Sequence, residues 1–208
     1  IMFVGDSFTY GKGVNDHETF AYELQQRLLR DSVEIINAGV EGRGTDHALR
    51  SYQFYKEKYQ PNTVIYFAHY NDLADNIRDE YFTVVNDSTL TPKNFEKLTG
   101  GTKEKLRKNK TYNWLISNSH FFSLLKSVLV NVLMPDQIVR YEEGIDMDRA
   151  KKLTATFIEQ LRKEVEADGR KFLMYYIPSN HDIEARVKGG QTEQEAFFDN
   201  YFTFIVIF

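Results

Sequence analysis

Three short segments of the chain pair a group that could do chemistry with the backbone that group would need. Gly5-Asp6-Ser7 ends the apolar run Ile1 to Val4. A serine on the turn after a buried parallel strand sits at the strand's carboxyl end, where open α/β sheets bind ligands. The glycine before it permits a close approach that a Cβ would forbid. Asn37 to Gly44 is a turn-rich loop that contains Gly42, and His69-Tyr70-Asn71-Asp72 follows another apolar run. Acyl transfer by a serine requires a nucleophile, donors for the developing oxyanion, and a base. Ser7 is the candidate nucleophile. Its own N–H, the Gly42 N–H and the Asn71 amide are the candidate oxyanion donors. Glycine lets the backbone come close to a substrate, and asparagine donates hydrogen bonds without bringing a charge.

Hydrophobic spacing predicts the elements that must position these residues. A strand ends at Gly5. A helix is expected over 18–30, with Phe20, Leu24 and Leu28 on one stripe, followed by a strand over Val33 to Ile36. Thr45 is the expected N-cap of the next helix, with Leu49, Tyr52 and Tyr59 on one side and Pro61 as its stop. Thr63 to Ala68 reads as a buried strand. The order β-α-β-α-β implies a parallel sheet. Residues 79 to 145 read as a largely helical insertion, with an apolar helix over Asn113 to Met134. Asp146 to Asp168 is the cleanest amphipathic helix, striped by Ala150, Leu153, Phe157, Leu161 and Val165, with Gly169 as its C-cap. Lys171 to Ile177 is a further strand that ends before His181. A helix over Gln191 to Tyr201 and a strand over Phe202 to Phe208 close the chain.

The Gly-Asp-Ser segment resembles the first motif of the SGNH (GDSL) hydrolases, whose serine is the nucleophile. Asn37-Ala38-Gly39-Val40-Glu41-Gly42 looks like the family's second block, and His69-Tyr70-Asn71-Asp72 resembles its third, Gly-x-Asn-Asp, with His69 in place of glycine. The resemblance covers about the first 75 residues well and extends loosely to about residue 180. It implies a flavodoxin-like three-layer α/β/α sandwich and gives Ser7, Gly42 and Asn71 the roles argued above. The family's fourth block, Asp-x-x-His, supplies the base and the acid that orients it. None of His17, His47, His69, His120 or His181 has an aspartate three residues before it. Three explanations follow: the pair lies beyond residue 208, His181 at the end of a strand serves as base, or the domain is catalytically inactive.

Other residues have structural readings. Asp6 is expected to hold its turn, and Asn37 to fix the second loop through its side chain. His69 is expected to be a packed histidine that crowds or tunes the pocket. Asp72 and Asp75 lack the further ligands a metal site needs.

Bulk properties narrow the function classes. The 208 residues are read as one domain, 1–208, with 42% apolar and 27% charged residues, the balance of a globular protein. A net charge of −4 offers no basic footprint for nucleic acid. No apolar run is long enough to cross a bilayer. Without cysteine there is no disulfide, thiolate metal site or cysteine nucleophile. Both ends read as cut, which leaves a signal peptide or anchor, and hence the compartment, open. The expected function is serine-dependent hydrolysis of an acyl or acetyl ester of a sugar or lipid, through an acyl-enzyme, with no cofactor. The alternatives are a non-catalytic binding domain of the same fold and an O-acyltransferase acting on a polysaccharide. Oligomeric state is not specified by these patterns.

Overall fold

Alternation of apolar side chains sets the centre of the fold. A computed structural model describes residues 1–28, 32–79, 82–85, 89–92 and 145–201. Strands β1 (Met2–Gly5), β2 (Ile36–Asn37), β3 (Thr63–His69) and β6 (Lys171–Ile177) form one parallel sheet in the order β2-β1-β3-β6. Gly5 lies opposite Phe67, and Phe67 lies opposite Tyr175. Strands β4 (Phe82–Val85) and β5 (Thr89–Pro92) form a separate two-stranded sheet. The chain divides into two compact units, Ile1–Leu90 with Asp146–Phe208, and Thr91–Ile145.

Successive side chains of a strand point to opposite faces, and both faces of the large sheet are covered. On one face Phe3 and Ile65 pack with Ala21 and Leu24 of helix α2 (Phe20–Leu28). Phe3, Phe20, Phe67 and Tyr175 continue this layer through ring contacts of 5.0 to 5.8 Å. On the other face lie α3 (Thr45–Tyr59), α4 (Asp72–Asp79) and α5 (Met147–Ala167). The Tyr66 hydroxyl meets Thr45 of α3 at 2.8 Å and donates to Asp72 of α4 at 2.7 Å, while Arg162 of α5 lies over the Phe172 ring. The result is the expected three-layer α/β/α arrangement around a parallel sheet.

Helix α5 shows why such a pattern is readable. Its stripe of Ala150, Leu153, Phe157, Leu161 and Val165 is buried in full, and each large side chain so buried stabilises the fold by roughly 1.5–3 kcal/mol. Asp146 caps it by accepting from the Arg149 N–H at 3.0 Å, and Gly169, at φ 72°, follows its last residues. Helix α3 differs from expectation. Gly44 is its N-cap, and Thr45 is its buried first residue, with the hydroxyl turned to Tyr66 and Asn76. Strand β2 is shorter and later than Val33 to Ile36, because a single-edge partner, β1, gives it only two register pairs. The last two helices are α6 (Asn180–Val187) and α7 (Glu193–Asp199). Within the insertion expected over 79–145, the described elements are the short strands β4 and β5 rather than helices. The expected helix over Asn113 to Met134 and the strand over Phe202 to Phe208 lie outside the described residues.

Asn76 joins the helices of the second face. Its amide donates to Thr45 and Thr154 at 3.1 and 2.7 Å, and its Oδ1 accepts the Asp46 N–H at 3.1 Å. All four residues are buried. Replacing Asn76 with leucine leaves several buried polar groups short of a partner, so Asn76→Leu should lower stability by about 2–4 kcal/mol. Urea unfolding monitored by circular dichroism measures this; a change below about 0.5 kcal/mol would show that the bridge contributes nothing net.

Candidate active site

The sheet order decides where ligands can bind. Strand β1 is followed by a connection to β2 on one side of it, whereas β3 lies on its other side and leads on to β6. The carboxyl ends of β1 and β3 therefore flank a topological switch point, the place where crevices open in parallel sheets. Ser7 follows β1, Asn71 follows β3, and the loop bearing Gly42 follows β2.

The turn that carries Ser7 is built by its neighbours. Asp6 is the N-cap of the single-turn helix α1 (Ser7–Tyr10), and its Oδ1 accepts the Phe8 N–H at 2.9 Å. This is the turn-holding role expected for Asp6. Ser7 is half-buried, and among the described residues no hydrogen bond engages its hydroxyl. The β2–α3 loop is laid directly against α1. Asn37 donates to the Thr9 carbonyl at 2.7 Å and accepts the Gly39 N–H at 3.1 Å. A Cβ on Gly39 would stand 2.5 Å from the Tyr10 nitrogen, so only glycine allows the two backbones to approach this closely. Farther along the loop, Gly42 is exposed and adopts φ 67°, a left-handed conformation that a side chain would strain.

The Asn71 amide is held at both ends. Its Nδ2 donates to Asp75 Oδ2 at 2.8 Å, and its Oδ1 lies 2.6 Å from His69 Nδ1. Asp75 is ion-paired with Arg78 at 2.9 Å, and a carboxylate can only accept. The amide must therefore turn its N–H2 to Asp75 and its carbonyl to His69. That carbonyl can only accept, so the His69 proton resides on Nδ1. The Asn71 side chain also interacts with the Asp6 carboxyl and helps hold its pKa down. Arg78 also donates to the Gly42 carbonyl at 2.8 Å. A line of polar contacts thus runs from the Gly42 loop through Arg78, Asp75, Asn71 and His69 toward Asp6, whose Oδ2 is 3.9 Å from His69 Nδ1.

His69 is 2% exposed, with Phe8 on one side at 4.0 Å and Tyr70 at 4.5 Å between ring centroids. It is packed, as expected, but it also orients Asn71. Burial pushes its pKa down, against the pull of the Asn71 hydrogen bond and the charges of Asp6, Asp182 and Asp75. Burial pushes the Asp6 carboxyl up, opposed by His69, by the Phe8 and Thr9 amides and by the Asn71 side chain. Asp72, fully enclosed, is pushed well above its ordinary value by burial and then by Asp6. It accepts from the Tyr66 hydroxyl and the His69 N–H, at 2.7 and 3.1 Å.

His181 does not join this line. It is exposed in the first turn of α6, and among the described residues it has neither a hydrogen bond nor a carboxylate within ion-pair reach. Its neighbour Asp182 is the structural residue there, accepting from Ser179, Tyr176 and Thr192. Burial alone would raise the Asp182 carboxyl, but those hydrogen bonds outweigh it and hold the pKa below its ordinary value. Sequence reasoning overlooked Asp75 and Arg78 as partners of the candidate donors. Their signal was spacing: Asn71 to Asp75 is four residues and Asp75 to Arg78 three, which are neighbour distances on one helical face. Among the described residues no cluster of side chains could hold a metal ion.

The chain matches the family model described as GDSL-like Lipase/Acylhydrolase over residues 1–201. No curated protein sequence matches it significantly. Among solved structures it is similar to AlinE4, an SGNH-hydrolase family esterase, at 15% identity and TM-score 0.44, with 95% of this chain and 66% of that one covered. It is similar to TesA at 15% identity and TM-score 0.45, covering 98% and 75%. A third is the psychrotrophic esterase EstA from Pseudoalteromonas sp., inhibited by monoethylphosphonate, at 14% identity and TM-score 0.44, covering 100% and 75%. The chain thus spans just under two thirds of AlinE4 and three quarters of the other two.

The buried, neutral His69 makes stability depend on pH. Its folded pKa lies below the ordinary 6.5, so between those values the unfolded chain binds a proton that the folded chain refuses. The His69 contribution to stability is level above about pH 6.5 and falls as pH drops through that window. Asp6, with its raised pKa, acts in the opposite sense, losing stability as pH rises through its folded value. Since the raised carboxyls of Asp6 and Asp72 act against it, melts of wild type and His69→Gln at pH 7.5 and 5.5 isolate the His69 contribution: moving to pH 5.5 should cost wild type more, in midpoint, than it costs the variant. An unchanged difference in the variant would place the titrating group elsewhere.

Proposed function

Because the chain belongs to the GDSL-like lipase/acylhydrolase family over residues 1–201, whose members support ester hydrolysis in general, we propose that it cleaves a carboxylic ester with Ser7 as nucleophile. Ser7 Oγ adds to the ester carbonyl carbon as its proton passes to a base. The carbonyl oxygen takes up the negative charge, and the Ser7, Gly42 and Asn71 N–H groups stabilise it. Collapse breaks the bond to the alcohol, which leaves with a proton, and an acyl-serine remains. Water adds to that carbonyl and the second collapse releases the acid and restores Ser7.

The observation that carries this reading is the junction of three loops on one line of contacts. Arg78 bonds the Gly42 carbonyl, Asp75 and His69 fix the Asn71 amide, and Asn37 binds the second loop to the helix that begins at Ser7. A half-buried serine hydroxyl left without a partner, at the carboxyl end of β1, suits attack better than a structural role. His181, exposed in the first turn of α6, is the candidate base that the sequence offers. The acyl group is that of a sugar or lipid ester, and Phe8, 50% exposed, and Tyr70, 37% exposed, offer it apolar surface.

Hydrolysis of p-nitrophenyl acetate and longer-chain esters, with wild type and Ser7→Ala compared, tests the proposal. Ser7→Ala should lower kcat by at least about a thousandfold while leaving the melt unchanged. A fluorophosphonate probe should label wild type and not the variant, since labelling needs an activated serine. Wild-type protein inert to both would favour the binding-domain reading. Product that appears only with a sugar acceptor, without free acid, would favour acyl transfer.

A further inference from the structure

We propose that His69, Asp75 and Arg78 are positioning residues for the candidate oxyanion donors, holding the Asn71 amide and the Gly42 loop at a fixed separation. This rests on the hydrolase reading above. The Asn71 side chain has one rotatable amide plane, and without partners either its oxygen or its nitrogen could face a substrate. Asp75 removes that choice, because it accepts only and takes one N–H at 2.8 Å. His69 closes the other end at 2.6 Å through Nδ1. The second N–H then has a set direction before any substrate arrives. Preorganisation of this kind matters because donors must be aimed where charge develops, with no reorganisation during reaction.

Arg78 extends the constraint from one loop to the next. Its guanidinium spans two acceptors, Asp75 Oδ1 at 2.9 Å and the Gly42 carbonyl at 2.8 Å. Gly42 needs such a tether. It is exposed, its left-handed backbone has no side chain, and a Cβ built there would meet nothing within 4 Å. A planar fork with several donors can serve both acceptors, whereas the point charge of lysine cannot do so with fixed geometry. Asp75 is 1% exposed and Arg78 40% exposed, so the clamp is anchored in the core and reaches solvent at its Arg78 end.

The test measures kcat and KM for p-nitrophenyl acetate in wild type, Arg78→Lys, Arg78→Ala and Asp75→Asn, each checked for folding by thermal melt. Misplaced donors act in the transition state, so Arg78→Ala should lower kcat by about 10- to 100-fold with KM within about twofold. Arg78→Lys should fall between that variant and wild type. Dilute guanidinium chloride should restore several-fold of the lost kcat in Arg78→Ala, and sodium chloride of equal ionic strength should not. A purely structural role would give a lowered melt and no such rescue. Asp75→Asn should lower kcat as well; if it fails to fold, the Arg78 series still decides. The positioning role is overturned if Ser7-dependent hydrolysis is present and Arg78→Ala keeps kcat within about twofold of wild type, or loses it without guanidinium rescue. Wild-type hydrolysis that is absent, or unchanged by Ser7→Ala, overturns the hydrolase reading and the positioning role with it.

Discussion

The constraint on which the rest of the structure depends is the register of β1 against β3. Gly5 lies opposite Phe67, so the residues that follow, Ser7 after β1 and His69 to Asn71 at the end of β3, emerge near one level of the sheet. A slip of one residue would turn every side chain of the strand to the other face. Phe3 would leave its aromatic layer beside α2, and Tyr66 would leave Thr45 and Asp72. Two dissimilar faces, one aromatic and one hydrogen-bonded, thus hold the register twice over. The candidate site inherits its geometry from that match.

Sheet geometry alone brings loops to one edge without aligning them, and side chains complete the alignment. Most of that work is polar and buried. Asp6, Asp72, Asp75 and Asp182 surround His69, and Arg78 pairs with Asp75 at the margin of the group. Such burial would be costly if each carboxyl group lacked donors. Instead Asp6 takes the Phe8 N–H, Asp72 takes Tyr66 and the His69 N–H, and Asp182 takes Ser179, Tyr176 and Thr192. Asp6, Asp72 and Asp182 each sit at a strand-to-helix connection, so much of the acidic character of the region is the by-product of three turns being held by the same kind of group.

The elements that could be read from sequence were those whose burial follows a single period. β3, β6 and α5 each present one uninterrupted apolar pattern, and their limits were legible to within a residue or two. Ser7, Gly42 and Asn71 were candidates by residue type and order, and each stands in the segment that follows one of the first three strands. The start of α3 was less so: a threonine at Thr45 has the chemistry of a cap, but the buried Tyr66 and Asn76 compete for its hydroxyl. Asp75 and Arg78 escaped notice because their meaning lies in contacts between loops, which no periodicity encodes. His69 was read as a packing residue, and its hydrogen bond to Asn71 depends on a ring orientation that sequence does not carry.

The long separation between β3 and β6 has a consequence for how the molecule assembles. Thr63 pairs with Lys171, while β1, β2 and β3 with their loops are complete by His69. Closing a loop of that length is entropically slow relative to pairing nearby strands. The first three strands, which carry Ser7, Gly42 and Asn71, can therefore associate early, whether in refolding or during synthesis. Until β6 and α5 arrive, the outer edge of β3 stays unpaired and Asn76 lacks Thr154. An exposed strand edge of this kind is a template for pairing with other chains. The moment of greatest aggregation risk thus falls after the loops of the candidate site have met and before the sheet is whole.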